Sequence, residues 1–161
     1  MPPKARKLIM TDIRVVNPQD PEISAIIASH LSGMVENSPK DSVYAMDASG
    51  LSDPAVTLFG AFQNGQCQSI GALKKLSDTE GEIKSMRTIE TAMGQGFGKA
   101  VLRHIIHFAR KNGIDTLLLE TGTGQSFEAA HHIYHTHGFK PCSAFGDYED
   151  SKFNRFFAFT L

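Results

Sequence analysis

Glu82-Ile83-Lys84-Ser85-Met86-Arg87-Thr88, followed four residues later by Met93-Gly94-Gln95-Gly96-Phe97-Gly98-Lys99, is the stretch that decides the fold. The first half reads as a strand and the second as a tight glycine loop. Behind the loop, residues 99–112 carry Val101, Leu102, Ile105, Ile106, Phe108 and Ala109 at helical spacing, and Gly113 is a stop signal. Because Gly94, Gly96 and Gly98 alternate, the backbone can turn sharply and no Cβ shields its N–H groups. Those groups lie at a helix N-terminus, where the first donors lack intrahelical partners and the dipole is positive. Together these features make a seat for phosphate, with the charge of Lys99 beside it. The expected ligand therefore carries phosphate, and a pyrophosphate suits the loop best. A glycine run can also serve a turn alone, but alternation directly before a strong helix favours the phosphate reading.

Working outward, residues 8–16 read as a first strand, and Asn17-Pro18-Gln19-Asp20-Pro21 stops it. Asp20 can cap a helix with Pro21 at its first position. Ile23, Ile26, Ile27, Leu31 and Met34 recur at helical spacing, which predicts an amphipathic helix over 21–35. A second, short helix is expected from Ser38-Pro39 through Met46. Strands are expected over 55–62 and 66–76, joined by Asn64-Gly65, since a type I′ hairpin turn needs positive φ at both positions. After a turn at 77–81, residues 82–88 close an antiparallel meander. Residues 114–120 are nearly all apolar, as in a strand buried on both faces. A turn at 121–124 leads to a helix capped by Ser126 and ending at Gly138. Two final strands are expected over 139–145 and 154–161. This order predicts an α+β sandwich, with a mixed, mostly antiparallel sheet and helices on both faces.

The totals bound the function. A chain of 161 residues suits a single domain over 8–161, preceded by a loose tail over 1–7. A net charge of −1 gives no reason to expect nucleic acid or an acidic membrane as partner. Cys67 and Cys142 are too few for a disulfide framework or a cysteine zinc site. No apolar run has the length of a signal-peptide core or a membrane span. The expectation is a soluble cytoplasmic protein.

The order of elements and the glycine loop resemble the GCN5-related N-acetyltransferases, the GNAT superfamily. Their loop reads Gln/Arg-x-x-Gly-x-Gly/Ala; here Met93 stands at the Gln or Arg position, before Gly96 and Gly98. A second signature, Ala-x-x-Leu-Tyr-x-x-x-Gly-Phe, is matched by Ala130, Ile133, Tyr134, Gly138 and Phe139, with Phe127 where an Asn is frequent. Gly71-Ala72-Leu73-Lys74, residues 81–88, Leu119-Glu120-Thr121-Gly122, Ser126-Phe127-Glu128 and residues 144–148 are similar to the bacterial YsnE-like branch. The resemblance covers almost the whole chain. It implies splayed fourth and fifth strands and acetyl-CoA as cosubstrate, with no metal. The cofactor would lie on Met86, Arg87, Thr88, Met93, Gly94, Gln95, Gly96, Phe97, Gly98 and Lys99, its pyrophosphate on the loop amides and its pantetheine arm along the fourth strand. The acceptor would be a primary amine of a small molecule or a peptide; a homodimer is compatible.

The resemblance also assigns roles. Tyr134 matches the general-acid tyrosine, and Glu82 stands where many members carry a glutamate base. Glu120, after the apolar strand, is the other candidate base. Arg87 and Lys84 are expected on opposite faces of their strand, and either can meet a carboxylate on the acceptor. Tyr148 and Asp147 are candidates to line the acceptor mouth.

Four other readings compete. A nicotinamide-dinucleotide site shares the glycine run, the helix and an acidic residue, Glu120, about twenty residues on. Against it, five residues separate Thr88 from Gly94, the third glycine is misplaced, and the strand before the loop is expected in a meander rather than a parallel crossover. A Walker loop fails because Ala100 follows Gly98-Lys99. His131, His132, His135 and His137 invite a metal, but no third ligand accompanies His131 and His135, and His30, His104 and His107 are expected at the surface or boundary of helices. A sensor that binds acyl-CoA without turnover is the remaining class.

Overall fold

The computed structural model describes residues 11–37 and 47–161. The expected tail, the start of the first strand and the short helix over 38–46 lie outside them. Strand β1 (Asp12–Val15) leads to helix α1 (Pro21–Asn37), whose Ile23, Ile26 and Ile27 are buried. Helix α2 (Ala48–Leu51) is a single turn, held by the Asp47 side chain accepting from the Gly50 N–H at 2.8 Å. Four residues are too short to show periodicity, so the sequence did not announce it.

The meander is β2 (Val56–Gln63), β3 (Gln66–Lys75) and β4 (Glu80–Thr88), with antiparallel pairing throughout. Asn64 and Gly65 both have positive φ, 52° and 77°, as the type I′ turn requires. Helix α3 (Phe97–Lys111) starts two residues before the expected Lys99. Its Phe97, Val101, Leu102, Ile105, Ile106 and Ala109 are buried, which contributes on the order of 10 kcal/mol of apolar transfer. β5 (Thr116–Gly122) alternates buried and half-buried residues rather than being buried on both faces. Helix α4 (Glu128–Thr136) follows a 3-10 turn, Gln125–Phe127, and no side chain caps either, so Ser126 is not a cap. β6 shrinks to Lys140–Pro141, because the chain then leaves the sheet for the loop that carries Tyr148; β7 (Asn154–Thr160) closes the fold.

The sheet order is β1-β2-β3-β4-β5-β7-β6. All neighbours are antiparallel except β4 and β5. β4, α3 and β5 therefore form a parallel crossover, contrary to the expectation, and β4 also ends the meander. One buried cluster gathers α3, Tyr134 and Phe139 over Phe59, Leu73, Ile83, Leu117 and Leu119. The other gathers α1 and Leu51 over Leu58, Phe62, Ile70 and Ala72 on the opposite face. The fold is thus a mixed, mostly antiparallel α+β sandwich.

Candidate active site

β4 and β5 pair only from Glu80 to Ile83 and from Thr116 to Leu119. Beyond those residues the strands part, and the β5-facing backbone edge of β4 from Lys84 to Thr88 has no strand partner among the described residues. A bulge deepens the gap. Ala72 pairs with Lys84 but Ile70 pairs with Arg87, so Ser85 and Met86 together face Gly71. Ser85 takes φ 56°, an uncommon state for serine. Gly71 is what admits the bulge: a Cβ there would meet Met86 Sδ at 2.4 Å and Val101 Cγ1 at 2.7 Å.

The extra residue also corrects the expected side-chain parity. Cross-strand partners share a face, and Ala72 and Ile70 lie on one face of β3, so Lys84 and Arg87 lie on the same face of β4. That is the α1 face. By the same register, Glu82 and, two residues past its partner Leu118, Glu120 also lie there. Ile83 and Leu119 face α3 and α4, where Tyr134 sits.

A cavity of about 100 Å3 opens at the split. His30, Glu82, Lys84, Glu120 and Tyr148 line it from the α1 face, and Phe127, Ala130 and Tyr134 from the other. Ser85 and Met86 of the bulge line it as well. Tyr134 and the carboxylates thus reach one space from opposite faces of the sheet.

Glu82 is buried and already engaged: its Oε2 accepts from Lys84 Nζ at 3.1 Å and from Tyr148 Oη at 2.5 Å. Lys84 Nζ also donates to Tyr148 Oη. The Tyr148 ring is held edge-on by Phe145 and Phe156, at centroid distances of 5.2 and 5.9 Å. Glu120 differs. Its Oε2 is buried without a hydrogen bond among the described residues, and burial pushes the carboxyl up to about 7. Lys84 works against that rise, while the charge of Glu82 adds to it. Tyr134 is 7 % exposed, and burial pushes its hydroxyl up to about 12.

At the loop, Gly94 and Gly96 have φ of 76° and 90°, which explains glycine at both. The N–H groups of Gly94, Gly96, Phe97, Gly98 and Lys99 make no backbone hydrogen bond among the described residues. Gly98 lies within the first turn of α3, where a Cβ would come 3.2 Å from Thr88 Oγ1. Thr88 is in turn fixed by Ser69, whose Oγ is 2.9 Å from Thr88 Oγ1 and donates to the Arg87 carbonyl at 3.1 Å. Met93 is exposed at the loop's start, and the Gln95 side chain bonds back to the Thr91 carbonyl at 3.2 Å.

Sequence reading missed His30. It lines the cavity, and burial with the nearby charge of Arg87 lowers its pKa to about 4, so it is neutral at pH 7. The signal was present, because position 30 continues the stripe of Ile23, Ile26 and Ile27. Phe127 stacks over Gly122, where a Cβ would come 2.4 Å from its ring. Of the histidine cluster, His131 Nε2 is 2.9 Å from the Gly122 carbonyl and His137 Nδ1 is 2.7 Å from that of Ile133. Among the described residues no group of three His, Cys, Asp or Glu could hold a metal ion, and no helix is long and apolar enough to cross a membrane.

The sequence profile of the Acetyltransferase (GNAT) family matches residues 23–139. YedL of Escherichia coli, an uncharacterized N-acetyltransferase, is 41 % identical over 141 residues, covering 88 % of this chain and 89 % of its own. YsnE of Bacillus subtilis, likewise uncharacterized, is 39 % identical over 127 residues, covering 79 % and 84 %. A structure described as an acyl-CoA N-acyltransferase from Klebsiella pneumoniae superposes with TM-score 0.80 at 27 % identity, over 95 % of this chain and 99 % of that one. A GNAT acetyltransferase from Elizabethkingia anophelis, solved with acetyl-CoA bound, shares the fold at TM-score 0.66 and 14 % identity, over 94 % and 98 %. Split strands, amide-lined glycine loop and the tyrosine of α4 accord with that match, and this chain is an acyltransferase of the GNAT family, in its YsnE-like branch.

Proposed function

We propose that the protein transfers an acetyl group from acetyl-CoA to a primary amine of a small molecule, or to a peptide amine. The observation that carries this reading is one cavity bordered by the buried Tyr134 and by Glu120, whose free Oε2 titrates near 7, at the split between β4 and β5.

The loop fits the cosubstrate: the amides of Gly94, Gly96, Phe97, Gly98 and Lys99, free of backbone bonds among the described residues and at a positive helix end, suit a pyrophosphate. The unpaired edge of β4 at Met86, Arg87 and Thr88 suits the amide groups of a pantetheine arm, as an added strand would pair. Acetyl-CoA, when bound, supplies a thioester open to attack by an amine. Glu120 takes the proton that the amine nitrogen loses as it bonds to the acetyl carbon. Near neutral pH a carboxyl at about 7 is half ionised, the condition under which a general base is both available and strong. Glu82, with Oε2 already accepting from two donors, holds Lys84 and Tyr148 in place and is the weaker candidate base.

Tyr134 donates a hydrogen bond to the sulfur as the carbon–sulfur bond breaks. Complete proton transfer from a hydroxyl at about 12 to a leaving thiolate whose thiol titrates at about 8.5 would be uphill by roughly 5 kcal/mol. The tyrosine therefore shares its proton with the sulfur in the transition state, and solvent supplies the proton of the free thiol. The products are the acetamide and CoA.

Calorimetric titration with acetyl-CoA, with NADH as control, tests the donor. Saturable binding of acetyl-CoA alone, followed by thiol release on adding amines, is expected. Binding of NADH instead would refute the reading. Binding of acetyl-CoA with no amine-stimulated release would leave a sensor module.

A further inference from the structure

The acceptor face holds polar atoms that no described residue satisfies. Among the described residues four buried side-chain atoms lack a hydrogen bond, and three of them, Ser85 Oγ, Arg87 Nε and Glu120 Oε2, belong to the parted stretches of β4 and β5. Buried polar atoms are almost always paired, so two orphans on residues that line the cavity, Ser85 and Glu120, and a third two residues further along β4, Arg87, ask for an explanation. The bulge at Ser85 and Met86 turns Arg87 to the same face as Lys84, Glu82 and Glu120. Lys84 is neutralised there by Glu82. Among the described residues Arg87 has no carboxylate partner, and its charge is felt by His30 across the α1 face. A half-buried guanidinium without an anion is costly. A neutral His30 beside it adds no second charge and offers a ring nitrogen to a ligand.

From this arrangement we infer that the acceptor is an amino acid or a similar small amino-carboxylate: its carboxylate pairs with Arg87 and the Ser85 hydroxyl, and its amine points to Glu120. Guanidinium suits this part because its planar fork matches a carboxylate. Arg87 lies three residues past Lys84 on a bulged strand, within about 10 Å along β4, so a compact molecule can meet both ends. The alkyl or aryl part of the acceptor lies toward Tyr148, whose ring, clamped by Phe145 and Phe156, walls the cavity. The inference rests on the proposed acetyl transfer.

The test uses matched pairs: free L-amino acids and their primary amides, assayed by thiol release from acetyl-CoA. Free acids should exceed their amides in kcat/KM by about 10- to 100-fold, the range for a charged hydrogen bond. Arg87→Gln should collapse that ratio toward one through KM for the acids, and Arg87→Lys should restore part of it. Amides used as well as acids, or a ratio unmoved in Arg87→Gln, would overturn the inference while leaving acetyl transfer intact. Turnover of neither series would overturn it too. A second readout is independent of turnover: N-acetyl-L-amino acids, the products, should bind the wild-type protein and raise its Tm, and lose that effect in Arg87→Gln. Failure to bind acetyl-CoA would instead strike the proposed function, and product binding would still decide whether Arg87 holds a carboxylate.

Discussion

Replacing Glu120 by Gln should make the protein more stable and less active, and only in a defined pH range. The carboxyl sits near 7 in the folded chain against an ordinary 4.5. At 1.36 kcal/mol per unit the difference has a ceiling of about 3.4 kcal/mol. Because the group is partly exposed, solvent screening reduces this to about 2 kcal/mol. A raised folded pKa means that the folded state holds the proton more tightly than the unfolded one. Between 4.5 and 7 the folded chain binds more protons, so stability falls as pH rises through that window. Below it both states are protonated and the carboxyl costs nothing; above it the full penalty stands. Urea unfolding of wild type and Glu120→Gln at pH 4.5 and pH 8 isolates the effect, since the other titrating groups cancel between the two proteins. Wild type should lose about 2 kcal/mol relative to the variant on going from the lower pH to the higher. In the same series, the acidic limb of kcat/KM near pH 7 should vanish in the variant, with activity down by about 10²–10⁴-fold. A stability difference that does not move with pH would show that Glu120 is not held near 7, and its assignment as base would fall with it.

Tyr134→Phe keeps the ring in its place against Phe139 and Phe157 and should lower kcat by about 10- to 100-fold with little change in KM for acetyl-CoA; an unchanged kcat at every pH would remove the hydroxyl from the chemistry. Gly71→Ala drives a methyl into Met86 and Val101 and should destabilise the fold by about 1–3 kcal/mol while moving the bulge, so kcat should fall even in protein that remains folded. Gly96→Ala forces an L-residue to φ 90° at a cost of about 1–2 kcal/mol, and calorimetry should show weaker acetyl-CoA binding; equal affinity would argue that the loop amides do not hold the pyrophosphate.

Several features were legible in the chain because they are local. Asn64-Gly65 states its turn by the φ values it tolerates, and the structure has both positive. The alternating glycines state a loop with exposed amides, and α3 states its buried face by spacing, since all these depend on neighbours within a few positions. Errors came where a remote partner decides. The strand expected over 139–145 ended at Pro141, since a short pairing with β7 is all the loop to Tyr148 permits. The nearly continuous apolar run of β5 is half-buried on the face of Thr116, Leu118 and Glu120, since the buried cluster on that side gathers over β2 and β3 rather than β5.

The amino-acid sequence by itself determined the fold class, the glycine loop and the residue types at the candidate site: Glu82, Lys84, Arg87, Glu120, Tyr134 and Tyr148 all stand in the stretches it singled out. Tertiary structure alone decided how they meet. One extra residue in β4, admitted because Gly71 has no side chain, turns Arg87 onto the face of Lys84. Parting of β4 from β5 after Ile83 joins the two faces of the sheet in one cavity. Glu82 and Glu120 are the same chemical group on adjacent strands and on one face of the sheet, yet Lys84 and Tyr148 occupy the first and, among the described residues, leave the second with an unpaired oxygen. Such differences arise from packing and register between segments far apart in sequence, and no local pattern encodes them.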